Sequence, residues 1–181
     1  MLLKDLLKTI PKDFIDRLYK GGVTNNDNVL AISTESTGNN EGATNISNYA
    51  VVQDHIEGVD SNFDPQTVTK TYIRSGSSTT KVGTQRGFTI TGDRVINDDF
   101  QDFVFSNKIK YGTGEAVIVD YIYFSLLNGA GETGKATVIV NSDGSGNAED
   151  TAAISVDLKK TGATPKEINI LDLFTDWAET A

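Results

Sequence analysis

Apolar residues recur at helical spacing over residues 1–22. The first group consists of Leu2, Leu3, Leu6, Leu7 and Ile10. This spacing predicts an amphipathic helix. Pro11 interrupts the pattern, and Phe14, Ile15 and Leu18 then predict a second short helix, which the glycines at 21 and 22 end. We therefore expect residues 1–22 to form a helical extension that packs on the body of the protein or on a neighbouring subunit.

Strand patterns dominate residues 23–165, which we expect to form the main β domain. The clearest is 87–92, where Phe88 and Ile90 alternate with threonines and predict a half-buried strand. Glycine-rich turns at 128–134 and 141–148 separate three later strands, which predicts an antiparallel meander. The predicted strands are 28–33, 49–53, 87–92, 116–127, 135–140 and 153–158.

One internal helix is predicted over residues 97–107. Asn97 or Asp98 can cap its first turn, and its apolar face consists of Phe100, Phe103 and Val104. The predicted fold class is therefore mainly β. We expect an antiparallel β-sandwich or barrel with one flanking α-helix and short terminal helices.

The last residues, 166–181, are predicted to form a C-terminal helical arm. Ile170, Leu171, Phe174 and Trp177 recur there at helical spacing. Phe174 and Trp177 fit two roles equally well, a helix that binds a partner or a cover over an open end of the β core. The sequence does not choose between these roles.

Residues 64–86 are rich in threonine, serine and glycine. The stretch 67–74 favours an extended backbone, whereas 75–80 has no apolar side chain to bury. We therefore expect a mobile loop over about 64–86 that becomes ordered on assembly.

The charge of the chain argues against sequence-independent DNA binding. Twenty-five acidic and 16 basic residues give a formal net charge of −9. A sequence-independent DNA binder would instead need an excess of lysine and arginine, although an acidic wall suits DNA that must pass without sticking. The chain has no cysteine, and no stretch approaches the length of a membrane helix. We expect no membrane contact and synthesis in a cytoplasm.

One glycine-rich stretch imitates a nucleotide-binding motif. Residues 129–134 match G-x-G-x-x-G and are followed by Lys135, which almost completes a phosphate-binding loop. Both motifs need a helix next, but Ala136 and the residues after it favour a strand. Ala136 also occupies the position of the hydroxyl that would bind magnesium. A hairpin turn is the better interpretation.

The remaining candidate sites are incomplete. Residues 141–147 resemble a calcium loop, but Ala152 stands where a bidentate glutamate is needed. Glu149 and Asp150 leave weak cation binding there open. His55 is the single histidine and cannot supply a catalytic zinc cluster. We expect no cofactor, no metal site, no catalytic residue and no enzymatic activity.

Two consecutive segments carry a resemblance to a known family. A strand over 82–95 ends in Thr-Gly-Asp-Arg and runs into a helix at 96–105 with a Gln-Asp-Phe-Val-Phe core, and the segment 56–65 precedes them. This order resembles the major tail tube proteins of long-tailed, non-contractile bacteriophages. The resemblance covers about residues 50–160. Related tubes of contractile tails and of injection systems share the pattern, and the sequence does not separate them.

The resemblance implies a virion protein that is assembled in the host bacterial cytoplasm. Six copies would form a ring, and rings would stack into a tail tube that delivers DNA. Its partners would be further copies, the tape-measure protein, the tail terminator and the distal tail proteins, while genomic DNA would pass without specific binding. On this pattern we expect five residues at subunit or ring interfaces, namely Tyr72, Ile73, Arg74, Phe174 and Trp177.

A second class of function competes with this one. The alternative is a β-sandwich module that binds carbohydrate or a receptor on a virion or cell surface. It would carry exposed aromatic residues at loop tips. Here Phe88, Phe100 and Tyr121 lie within predicted core elements, which disfavours that alternative.

Overall fold

Seven antiparallel strands form one sheet in the computed structural model, which describes residues 1–35 and 46–173. The strands are β1 (Asn28–Ser33), β2 (Tyr49–Val51), β3 (Ile56–Tyr72), β4 (Gly76–Asp93), β5 (Ile118–Ser125), β6 (Ala130–Ser145) and β7 (Ala153–Asn169). Their order is β2-β1-β5-β6-β7-β4-β3. Four short helices accompany them, α1 (Leu3–Thr9), α2 (Asp99–Val104), α3 (Asn107–Lys110) and α4 (Ile170–Leu173). The predicted mainly β, antiparallel class is confirmed.

The sheet is not a closed barrel. Strands β2 and β3 are its two edges, and in the described residues each of them pairs with a single neighbour. β3 is long, so the sheet keeps an extended edge whose outward backbone groups no other described strand covers.

The first of two apolar cores lies on the face of the sheet that α2 covers. Phe88 and Ile90 of β4 and Tyr121 of β5 are fully buried there. Phe100 and Val104 of α2 pack onto the sheet and complete this core. The predicted burial of Phe88 and Ile90 is therefore confirmed, because alternate residues of a strand point to opposite faces.

The second core lies on the opposite face of β1, β2 and β5. Ala31, Ile122 and Phe124 are buried there against Leu3 and Leu7 of α1. Full burial of a leucine or phenylalanine side chain contributes about 1.5–3 kcal/mol, which is enough to hold a seven-residue helix that would not be stable alone. The predicted first helix is confirmed, and it packs on the body of its own chain.

The second predicted N-terminal helix is wrong. A single 3-10 turn covers Lys12–Phe14, and no helix continues through Leu18. The amide N–H of Asp16 donates instead to the carbonyl of Leu127 at 2.9 Å, which ties the chain to the turn after β5. Ile15 enters the second core while Leu18 stays 80% exposed.

The helix predicted over 97–107 is divided in two. Asp98 caps α2, because its carboxylate accepts a hydrogen bond from the amide N–H of Gln101 at 2.9 Å. The backbone of Ser106 is extended, with φ −62° and ψ 149°, so the helix cannot run on into α3. The predicted cap is confirmed and the continuous helix is not.

Two further errors of the sequence analysis have one cause. Residues 130–134 were expected in a turn and 166–169 in a C-terminal helix, yet both are strand. They pair with each other, from Ala130 opposite Asn169 to Thr133 opposite Lys166. Residues this far apart in sequence carry no local signal of such pairing.

In the part of the chain that the structure describes, no helix has the length and apolarity needed to cross a membrane.

Candidate assembly surface

A two-stranded hairpin made by β3 and β4 projects from the sheet. β4 pairs with β7 over residues 87–93, whereas residues 64–85, here called the arm, pair across the hairpin. The side-chain amide of Gln85 donates to the carbonyl of Lys160 at 2.8 Å and fastens the base of the arm. The loop predicted over 64–86 is therefore a β-hairpin, and its expected mobility stays a prediction.

Hydroxyl side chains explain why this sequence forms strands. Thr69 and Thr79 stand opposite each other with their hydroxyl oxygens 3.0 Å apart, and Thr71 and Ser77 repeat the contact at 3.1 Å. Such cross-strand pairs stabilise a hairpin without an apolar core beneath it. A threonine-rich composition is therefore compatible with strands as well as with a loop.

The tip of the arm holds three of the residues predicted at the interfaces. Tyr72 ends β3 and is 53% exposed, and Ile73 follows it at 92% exposed. Arg74 has a positive φ of 70°, and Gly76 has 74°, so the turn holds both in left-handed backbone. These three residues lie together in the turn that closes the hairpin. Phe174 and Trp177 lie outside the described residues.

Apolar side chains on the arm and at its root are exposed to solvent. They are Phe63, Val68, Tyr72, Ile73 and Val82. Val82 lies in a bulge, since Gln66 faces Gly83 while Thr67 faces Lys81. Other exposed apolar side chains lie elsewhere on the molecule, but these five share one projecting element, as in a protein–protein contact surface.

A buried arginine anchors the root of the arm. Arg86 is 4% exposed, and its Nε donates to the carboxylate of Glu132 in β6 at 2.5 Å. Its Nη1 donates to the hydroxyl of Ser61 at 2.7 Å. The guanidinium carbon also lies 4.3 Å from the ring centre of Phe63 and 4.1 Å from that of Phe88. Charge, hydrogen bonds and two ring faces thus fix one end of the arm to the sheet.

Glu132 also contacts the aromatic core. The hydroxyl of Tyr121 donates to the same carboxylate oxygen at 3.4 Å. Burial, followed by the negative charge of Glu132, raises the pKa of Tyr121, so its hydroxyl stays protonated. An open cleft of about 750 Å³ beside this root is lined by residues of the arm, β6 and β7, among them Phe63, Lys81, Arg86, Glu132, Lys160 and Pro165.

The motifs that imitate enzymes have structural roles here. Lys135 is followed by strand, as predicted, and the 129–135 stretch contains close packing: a Cβ added to Gly131 would lie 2.3 Å from the carbonyl oxygen of Tyr123. His55 has a φ of 55° in the turn before β3, where its carbonyl accepts from the amide of Asp93 at 2.9 Å. Steric fit and turn geometry therefore account for these residues.

The acidic residues near 141–150 are engaged locally. Lys110 donates to the carboxylate of Asp143 at 2.6 Å and lowers the pKa of Asp143. Asp150 accepts from the backbone amide of Asn147 at 2.9 Å, which lowers its pKa too. Within residues 1–35 and 46–173, no three metal-ligating side chains lie close enough together to hold a metal ion.

Arg86 and Gln101 are among the buried polar residues that the sequence analysis did not predict. Arg86 is two residues before Phe88 on the same strand face, so its inward position was available from the alternation. Gln101 is fully buried in α2, and its side-chain amide donates to the carbonyls of Asp54 at 3.0 Å and Asp93 at 3.1 Å. No local pattern reveals those two partners, because one of them is 47 residues away.

Comparison with known proteins supplies a fold relationship. No family model matches the chain, and no curated protein sequence matches it. A chain in the tail of an empty gene transfer agent particle, refined helically with C6 symmetry, aligns at TM-score 0.53 and 13% identity, over 81% of this chain and 99% of that one. A chain in the virion of a native gene transfer agent particle aligns at 0.51 and 11%, over the same shares. The protein therefore has the fold of a chain from the tail of such a particle.

Proposed function

We propose that this protein is the structural subunit of a phage-like tail tube. Six copies form a ring, rings stack into a tube, and DNA passes through its lumen. The single observation that carries the proposal is the β3–β4 hairpin, which supplies both an open sheet edge and an exposed apolar arm. The shared fold with a chain of a C6-symmetric tail supports it.

The open edge of β3 suits the formation of rings. An uncovered strand of 17 residues is a template for pairing with another chain, and soluble proteins normally shorten or cover such an edge. Pairing of β3 with a neighbouring copy would satisfy these backbone groups. A head-to-tail contact of this kind closes into a ring when its rotation closes, and otherwise extends as a filament.

The arm suits contacts between rings. Its tip residues Tyr72, Ile73 and Arg74 project beyond the sheet, and their apolar surface would be buried on stacking. The tape-measure protein, the tail terminator and the distal tail proteins are the further partners of such a tube. The virion tail is the expected location, and the function is structural rather than enzymatic.

Electron microscopy of the purified protein at high concentration tests the proposal. Hollow tubes with sixfold end views are expected. A variant in which Asn-Gly replaces residues 66–84 should stay folded, because the arm lies outside both cores, yet should form no tubes. Normal tubes from this variant, or a strictly monomeric parent protein, would overturn the proposal.

The alternative of a carbohydrate- or receptor-binding module finds no support in the described geometry. It requires aromatic residues clustered at one end of the molecule. Tyr72 lies at the tip of the arm, whereas the exposed Tyr111 follows α3, near the far end of β4. Tyr72 and Tyr111, two of the exposed aromatic residues, are thus too far apart to share one sugar-binding platform.

A further inference from the structure

The arm carries positive charge on an acidic protein. Residues 64–85 contain three cations, Lys70, Arg74 and Lys81, and one carboxylate, Asp64, so the arm has a net charge of +2 in a chain of −9. All of these residues are exposed. The arm therefore differs in sign from the rest of the molecule.

Carboxylates gather at the other end of β4, in a region here called the acidic pole. It comprises residues 93–110 and 143–150, which hold seven carboxylates and three cations. The amide of Arg94 donates to the carbonyl of Ala152 at 2.8 Å, and Lys110 bonds to Asp143, so the two segments lie together. The net charge of the acidic pole is −4 on these counts.

The two charged regions cannot meet within one molecule. β4 runs from Gly76 at the tip of the arm to Asp93 at the acidic pole. A strand of 18 residues spans roughly 55 Å at about 3.3 Å per residue. The opposite charges can therefore come into contact between copies arranged head to tail.

The acidic pole contains a cleft of about 420 Å³ that suits the tip of the arm. Apolar and acidic side chains line it, including Leu2, Phe103, Asp98, Asp99 and Asp102. Asp98 is 4% exposed, and no described group hydrogen-bonds to its Oδ2, which lies 3.6 Å from the amine of Met1. Burial and the nearby carboxylate of Asp54 raise the pKa of Asp98, so a further cation would relieve this site.

The chemistry of the cleft favours a guanidinium over a metal ion. Among the described residues no set of three metal-ligating side chains is close enough for coordination. Asp99 lies 3.1 Å from the amine of Met1, and Asp102 accepts from Arg94 at 2.8 Å. Both carboxylates are still 51% and 42% exposed in their side chains, so their outward lone pairs can accept from a further planar fork of donors. On the tip, Ile73 stands next to Arg74, and this pair matches the apolar and acidic lining of the cleft.

We propose that the tip of the arm docks into the acidic cleft of a second copy, with Ile73 against Leu2 and Phe103 and with Arg74 between Asp99 and Asp102. This inference rests on the proposed function, and it names the surface that receives the arm. Because the charges are exposed, the contact weakens as salt screens them over about 10 Å at 0.1 M.

A charge swap tests the pairing in the full-length protein. Arg74→Glu should reduce the amount of pelleted tube at a fixed concentration roughly tenfold or more, as expected when one partner of a charge pair is reversed. Arg74→Glu combined with Asp99→Arg should restore it. Lys8→Glu makes the same charge change at an exposed position of α1 and should leave assembly unchanged. Failure of the double variant to recover, with Lys8→Glu normal, would overturn the inference.

Crosslinking tests the geometry and leaves every charge in place. The chain has no cysteine, so Ser75→Cys beside Arg74 and Ile96→Cys beside the cleft provide the only two thiols. A short bis-maleimide should join different subunits in assembled tubes. Ser75→Cys with Asn26→Cys, an exposed position away from the acidic pole, should not crosslink. Tubes that form without the 75–96 crosslink would overturn this inference alone, whereas a monomeric protein without tubes would overturn the proposed function as well.

Discussion

Arg86 in β4 and Glu132 in β6 are joined by a hydrogen bond of 2.5 Å between Nε and Oε1, at the root of the arm. β7 lies between their two strands in the sheet, so the ion pair spans a strand and holds β4 to β6 independently of the backbone ladder. Arg86 is buried between Phe63 and Phe88, whereas Glu132 is partly exposed. The ion pair therefore fixes the root of the arm relative to the first apolar core.

Removal of the Arg86 side chain should destabilise the folded protein. Arg86→Ala leaves Glu132 without its cation and empties the space between two rings, so we expect the free energy of unfolding to fall by about 3 kcal/mol. Glu132→Gln keeps an oxygen that can accept from Arg86 Nε but leaves the buried guanidinium without its counter-charge, so it should cost about 2 kcal/mol. Urea denaturation followed by circular dichroism measures both. Equal losses in the two variants would contradict this account of the pair.

Gln101 should be equally important to the region of α2. Its side-chain oxygen accepts from the amide of Val95 at 2.8 Å, and its nitrogen donates to the carbonyls of Asp54 and Asp93. Gln101→Met keeps the volume but leaves these groups unpaired, so unfolding free energy should fall by about 3 kcal/mol. The same change at exposed Gln66 is the control and should be nearly neutral. A stable Gln101→Met protein would show that water replaces the lost bonds.

Gly131 should not tolerate a side chain. An added Cβ would lie 2.3 Å from the carbonyl oxygen of Tyr123 and 2.5 Å from the Cβ of Phe124, so the β5–β6 pairing must shift. We expect Gly131→Ala to lower the melting temperature, with a loss of about 2–3 kcal/mol. Gly22→Ala, where nothing lies within 4 Å, should change stability little. A neutral Gly131→Ala would remove the packing explanation for this part of the nucleotide-like motif.

Asp120 should make stability depend on pH. It is buried, its Oδ2 has no hydrogen-bond partner in the described chain, and burial raises its pKa above the ordinary 3.8, partly offset by Lys135. A raised pKa means that the folded state holds the proton more tightly, so this contribution to stability is complete below pH 3.8 and is lost as pH rises through the folded pKa.

Asp120→Asn removes that dependence. The stability of the variant relative to the parent should therefore increase as pH rises from 3.8 through the raised pKa of Asp120 and then stay constant. Urea denaturation at several pH values measures the difference. Asp5→Asn, at an exposed position of α1, is the control. A difference that stays constant with pH would show that Asp120 titrates normally.

Local pattern was sufficient for several elements. The alternation at Phe88 and Ile90, the cap at Asp98 and the helical spacing of Leu3 and Leu7 were all readable, because each depends on residues within a few positions. The hairpin over 64–85 was misread as a loop. Its side chains are exposed on both faces, so the apolar alternation that identifies a half-buried strand is absent there.

The amino-acid sequence by itself determined a mainly β protein with an acidic charge and an amphipathic first helix. Tertiary structure alone decided that Ala130–Thr133 pairs with residues 166–169, that Arg86 bonds to Glu132, and that the arm and the acidic pole lie at opposite ends of β4. The physical reason is distance along the chain. Helical periodicity and capping are local interactions, whereas strand pairing, buried ion pairs and the placement of charge arise from contacts between residues tens of positions apart.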